Sequence, residues 1–273
     1  MSVSGTLSTK TLSSFLRSRD MHLAAGGWIF FVAENALLSE NRTWLIDEFG
    51  DQRYHAMYGT LSTIATASIG YAFLRLKRQN PPKLSALVPK ASPATLGASW
   101  VFLTVGLNLA TQGLPKFQIP LALSDGNNGI QVRCPFDFKE PEREDGALHG
   151  LERVTRHPGL WSMGMFGIGH ALLLPPAALP LKVWFTGPAL VAWLGGAHTD
   201  SRFRRGMGGT LSPHQDAQTS NLPFAAMMTG QQGNILDSAS KLMAELKPLN
   251  AALATAASTV WVVVQAKKFR SIR

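Results

Sequence analysis

Two histidines stand thirteen residues apart in ERVTRHPGLWSMGMFGIGHALLL, residues 152–174. His157 follows Arg153 and Arg156 at the charged start of this stretch, and His170 lies deep in its apolar run. A neutral imidazole is the commonest ligand for transition metals and a usual axial ligand for haem iron. His170 is therefore a candidate metal or cofactor ligand. The plainer reading is an imidazole hydrogen-bonded to a neighbouring helix, for instance to Glu34. Glu34 in FFVAENALL and Asn108 are the other polar groups set inside long apolar runs. A carboxyl group in that setting is a hydrogen-bonded acid, a proton-handling group or a ligand. The RVTRHP cluster differs in kind. Arg153 and Arg156 have the chemistry to anchor on lipid phosphate or on an anionic group of a ligand. Pro158 suits the first turn of a helix, so capping and anchoring would account for the same residues.

The elements that must hold these groups are six apolar segments, roughly 22–39, 54–74, 94–113, 159–176, 179–198 and 249–266. Each runs to about 18–21 residues, near the ~20 that a helix needs to cross a bilayer. They lack the polar face at helical spacing that a soluble bundle requires. The sequence thus predicts an all-α, polytopic membrane helix bundle of about six transmembrane helices. The mean hydropathy is only +0.05 because the connections, above all 114–158 and 199–248, are long and polar. His170 falls about 20 Å along its helix at 1.5 Å per residue, within the hydrocarbon zone. An ionisable group at that depth faces the bundle interior. Glu34 and His170 are accordingly expected inside the bundle, in reach of one another or of one ligand.

The chain of 273 residues carries a formal net charge of +9. Its placement speaks for a membrane and against nucleic acid. If the segments alternate across a bilayer, one side receives both termini and the 75–93 and 177–178 links. That side is rich in Lys and Arg and has the single acid Asp20. Both termini are expected on the stromal, matrix or cytoplasmic side. Residues 1–20 form an N-terminal tail whose basic, Ser/Thr-rich composition fits an organelle transit segment and equally a solvated juxtamembrane tail. There is no secretory signal. The single Cys134 excludes an intramolecular disulfide and has no partner at metal-ligand spacing. KEPEREDGALHGLERV, 139–154, is expected to form an interfacial helix. NLPFAAMMTG, 221–230, is too short to span and should lie on the surface or re-enter. Small residues in GMFGIG and WLGGAH should let the fourth and fifth segments pack closely as an antiparallel hairpin.

Several separated motifs, in order, resemble the NnrU family, which includes the 15-cis-ζ-carotene isomerases. They are GDQRYHAMYG at 50–59, RVTRHPGLWSMGMFGIGHALL at 153–173, LGGAHTDSRFR at 194–204 and TSNLPFAAMMTGQQ at 219–232. The likeness is strongest over about 150–232 and weaker over 22–75. It implies a helical membrane domain over 21–273. For the isomerases it further implies haem b and cis–trans isomerisation of one carotenoid double bond, with an apolar polyene entering from the lipid. His170 matches the family histidine thought to bind haem, and His157 matches the histidine of the RHP motif. Glu34 falls where the family has a histidine in the first helix, so three residues, His170, Glu34 and His157, mark the implied cofactor site. A carboxylate is a poor substitute for imidazole on haem iron. The competing expectation is an accessory subunit that kept the fold, lost the haem, and packs with lipid or pigment against a larger membrane complex of a plastid or mitochondrion.

Overall fold

A computed structural model of the protein describes residues 18–79, 92–114, 148–175 and 178–268, with the backbone of four short strands between 116 and 137. Ten α-helices occur among the described residues: α1 Arg19–Glu40, α2 Arg42–Phe49, α3 Asp51–Gln79, α4 Pro93–Gln112, α5 Pro158–Leu173, α6 Leu179–Arg204, α7 Pro213–Gln218, α8 Ala225–Met228, α9 Ile235–Glu245 and α10 Pro248–Lys268. Their ends follow local chemistry. Ser18 and Ser92 cap α1 and α4 by accepting from the backbone N–H three residues on, and Pro93 and Pro158 occupy first turns, where no N–H is needed. Gly50, at φ 84°, breaks α2 from α3 in a conformation that other residues resist.

The six apolar segments are all helical, as α1, α3, α4, α5, α6 and α10. Three of them, α1, α4 and α10, are long and apolar enough to cross a membrane by length and composition. The protein is an all-α membrane bundle. The other three fall short for visible reasons. The 16 residues of α5 reach about 24 Å at 1.5 Å per residue. Both ends of α3 are charged, and α6 runs on into Asp200, Arg202 and Arg204.

The helices pack in the order α10, α4, α5, α6, α1, α3, with α3 also touching α6. The α5–α6 hairpin is as close as its small residues suggest. A Cβ on Gly164 would lie 3.0 Å from the Ala189 Cα, and one on Gly167 would run into the Phe185 carbonyl. The α4–α5 contact, which the sequence did not single out, is equally close: a Cβ on Gly106 would stand 2.8 Å from the Phe166 backbone nitrogen. The Ser99 hydroxyl donates to the Gly169 carbonyl at 2.8 Å across that seam.

Strands β1 Lys116–Phe117 and β4 Phe136–Asp137 pair antiparallel, as do β2 Leu121–Leu123 and β3 Ile130–Val132, forming two nested ladders in the connection before α5. Cys134 and most of the expected interfacial helix at 139–154 lie outside the described residues. Of that helix, Gly150–Arg153 forms one 3₁₀ turn. The 221–230 segment contributes the short α8, whose Ala226 and Met227 are buried.

Candidate functional site

At the start of α5 the chain is clasped by the 219–232 segment. The Arg156 N–H donates to the Ser220 carbonyl at 3.0 Å, and the Phe224 N–H to the Val154 carbonyl at 2.8 Å. The Thr155 hydroxyl, fully buried, donates to the Asn221 carbonyl at 2.6 Å. The Gln232 amide donates to the Arg153 and Gln218 carbonyls at 2.9 and 3.1 Å. Phe224 holds φ at 63°, the left-handed region, to bring its N–H round to Val154. Asn221 then reaches between helices. It accepts from the Trp161 indole at 3.0 Å and donates to the Trp193 carbonyl at 2.8 Å. A Cβ on Gly196 would collide with its side-chain oxygen.

The side chains presented by this clasp form a connected charge network. His157 Nε2 lies 2.8 Å from Asp200 Oδ1, and Arg156 Nη2 lies 3.1 Å from Asp200 Oδ2. Asp200 is 3% exposed, so its carboxylate needs the Arg156 charge and the His157 hydrogen bond. The other Arg156 terminal nitrogen donates to Asp216 on α7, which also takes two hydrogen bonds from Arg204, at 2.6 and 2.7 Å. Those bonds from Arg204, opposed by burial and aided by Arg156, hold the Asp216 carboxyl at about 2. Arg153 makes a forked pair with Glu245, at 2.8 and 2.7 Å. Burial pushes that carboxyl up, but Arg153 and the Gly150 N–H outweigh it, leaving it below the usual range. Arg153 and Arg156 were expected to anchor on phosphate. Here both guanidinium groups face protein carboxylates and are largely buried. Asp200 behind His157 holds the imidazole in one tautomer and orientation, the arrangement that supports a ligand or proton-transfer role for the other ring nitrogen.

His170, thirteen residues further along α5, has no such company. Its Nδ1 lies 3.0 Å from the Phe166 carbonyl. The ring is stacked on Phe185 at a 13° interplanar angle, with Phe166 and Trp261 at 4.4 and 5.1 Å between centroids. Among the described residues its Nε2 has no hydrogen-bond partner. Glu34 sits in a third place, on the α1–α3 seam, 5% exposed. Its Oε1 accepts from Ser62 at 2.9 Å and from Asn35 at 2.6 Å, and Asn35 in turn accepts from Tyr58. Asn108 turns back on its own helix, donating to the Thr104 carbonyl at 2.9 Å.

The three sites are separate. Helices α1 and α6 run parallel, with Trp28 against Gly187 and Ser39 bonded to His198, an offset of 159 residues in both pairs. Glu34 is therefore level with Trp193, while His170 is level with Phe185, eight residues away or about 12 Å along the bundle. The expected meeting of Glu34 and His170 is not found. Glu34 instead bonds through Oε1 on the α1–α3 seam, leaving Oε2 buried and unpartnered, and His170 bonds through Nδ1 within its own helix.

A family model described as NnrU protein matches residues 22–268. The chain belongs to the NnrU family. No curated protein and no solved structure matches it.

Within this NnrU-family chain, the structure brings together three of the four resembling motifs. RVTRHP, HTDSRFR and SNLPFAA meet in the one clasp at the start of α5. The haem that the resemblance implies can be tested against these positions. Two axial ligands must face one iron, whereas Glu34 is turned to Ser62 and Asn35 on the α1–α3 seam and His170 lies among Phe166, Phe185 and Trp261, at a different level of the bundle. As a pair they do not fit. Among the described residues no three His, Cys, Asp or Glu side chains converge for a metal ion. Sequence reasoning missed Asp216, Glu245, Gln232 and the role of Asn221. Glu245 carries no local signal, since Arg153 is 92 residues away; Asp216 has Arg204 only 12 residues away, but its link to the RHP cluster through Arg156 spans 60.

Proposed function

We propose that this NnrU-family membrane protein takes an apolar polyene at the α5 face around His170, and is a carotenoid isomerase-like protein of the 15-cis-ζ-carotene type. The observation that carries this reading is the setting of His170: a polar ring with a free Nε2, walled by Phe166, Phe185 and Trp261. Phe166 and Trp261 are 39% and 45% exposed, so this wall opens on the surface that lipid covers. A conjugated chain lying flat on such rings gains area and π contact, and it enters sideways from the acyl chains. His170 then supplies the one polar atom at the polyene, which orients the chain against a fixed point. No step through haem is derived, because the Glu34–His170 pair does not fit it. The clasp at His157 positions α5 and closes the bundle end against water. In this reading six helices cross an organellar membrane of plastid or mitochondrial type, with both termini on the stromal or matrix side.

The test is incubation of the purified full-length protein with 15-cis-ζ-carotene, with isomers separated by chromatography. Loss of the cis isomer with wild type and at least a tenfold lower rate with His170→Ala supports the reading. Polyene neither bound nor converted by wild type turns the reading to its rival, the non-catalytic subunit of a larger membrane complex. That rival draws on one observation: Glu34, at the position of the family's first-helix histidine, is engaged in helix packing through Ser62 and Asn35.

A further inference from the structure

A second polar site lies at the same end of the bundle as the RHP clasp, between the α1–α3 turn and the end of α6. It is a cavity of about 380 Å³ lined by Arg42, Thr43, Ile46 and Asp47 of α2 and by Arg202 with Gly206–Gly208. That is within the range of cavities that take small ligands. Its two arginines differ from the others around them. Arg153, Arg156, Arg204 and Arg205 all sit on carboxylates. Arg42 and Arg202 make no ion pair among the described residues. Arg202 Nε is buried with no hydrogen-bond partner. Glu40, an acid outside the lining that feels Arg202 only at a distance, is taken by Arg205 in a forked pair. The Arg202 guanidinium packs on Gly208, where a Cβ would lie 3.4 Å from Nη2; at φ 76° this position resists a side chain in any case. Arg202 thus lines the cavity with no carboxylate on its guanidinium among the described residues. Arg42 stays close because its guanidinium lies over the Tyr54 ring, 6.0 Å from the centroid.

The depth of the cavity is marked independently. Trp44 and Phe49 of α2 are 60% and 46% exposed and pack edge to face, 6.3 Å between centroids. Exposed Trp beside apolar helix ends is the signature of the membrane–water boundary. The short α2, just beyond the end of α1, places Arg42 at headgroup level, and the last turn of α6 brings Arg202 to the same cavity.

We propose that this cavity is a phosphate site for a membrane lipid headgroup, with Arg202 as the buried fork and Arg42 as the outer cation. Arginine suits phosphate because its planar donors match two oxygens at once. Asp47 on the rim repels a second anion and faces the hydroxyl or amine part of the headgroup. The acyl chains run down beside Trp44 and Phe49.

The experiment uses the full-length protein in a neutral detergent. Thermal unfolding is followed while short-chain phosphatidylglycerol, or inorganic phosphate in a parallel arm, is titrated in. Wild type should be stabilised by the lipid, and the R42Q/R202Q double variant should need about tenfold more lipid, or greater, for the same shift. R202K, which keeps the charge and loses the fork, should fall between them and guards against a folding defect. R205Q, outside the cavity, should respond as wild type. Stabilisation by phosphate as strong as by lipid, lost in the same variants, keeps the oxyanion site and makes the free ion its source. An unchanged lipid response in R42Q/R202Q overturns the proposal. The polyene assay is unaffected by either outcome.

Discussion

Helix α5 carries two histidines in opposite circumstances. His157, at its start, shares a buried carboxylate with Arg156 and is tied into a network with Asp200, Asp216 and Arg204, spread over the start of α5, α6 and α7. His170, near its end, has aromatic rings for neighbours and one backbone carbonyl. The difference separates two uses of a polar group in a membrane protein. In the clasp at the boundary, charge ties distant segments together, and each arginine there is answered by a carboxylate. In the apolar setting of His170, a backbone carbonyl answers only Nδ1, and Nε2, without a partner among the described residues, is available to a ligand.

The comparison predicts the largest stability loss at Asp200. Asp200→Ala strips His157 of its carboxylate and Arg156 of one of its two, in a largely buried place, and should cost about 3–5 kcal/mol, read as unfolding of the detergent-solubilised protein. A loss below ~1 kcal/mol would mean that the clasp is not held by charge. Next is Glu34→His, which removes an acceptor of two hydrogen bonds and should cost about 1–3 kcal/mol. With excess haem, it should not produce a bis-histidine visible spectrum, since His170 is too far along the bundle. Such a spectrum would show that α1 and α5 come together in a way this arrangement does not contain.

A smaller effect follows from Asp216. Its carboxyl is held at about 2 against an ordinary 3.8. A carboxyl held low contributes stability above its unfolded value and loses it as pH falls through the folded value. About 1–2 kcal/mol, reduced for a side chain still 30% exposed, should therefore disappear between roughly pH 4 and 2. Asp216→Asn should remove that acid transition, measured as the wild-type minus variant difference in unfolding midpoint against pH. The smallest effect is at His170. His170→Phe, close in volume and at home among aromatic rings, should change stability by less than ~1 kcal/mol, although polyene conversion falls. A loss as large as that at Asp200 would collapse the distinction between the two histidines and make both structural.

The apolar segments were legible because hydrocarbon leaves a helix no alternative: every backbone group must bond within its own segment. Their lengths located α1, α3, α4, α5, α6 and α10 to within a few residues, except where α3 and α6 continue past the apolar run into charged turns. The glycines of α5 announced a close neighbour, though not that α4 is as close as α6. Motif likeness flagged the segments that hold Asp200 and Asn221 without saying that they meet the RHP cluster. Glu34 and His170 read as partners because both are expensive in lipid, and cost alone says only that each needs an answer.

By itself, then, the sequence determined that this chain is a helical membrane protein, where its helices lie, and which polar groups are out of place in them. Those are properties of single segments against a solvent, and composition and period express them completely. Tertiary structure alone decided which group answers which. The parallel register of α1 and α6 sets Glu34 about 12 Å along the bundle from His170. The fold brings Asp216 and Glu245 to the arginines from 60 and 92 residues away. Pairings over such separations depend on how helices are offset and turned toward one another, and no local pattern encodes an offset.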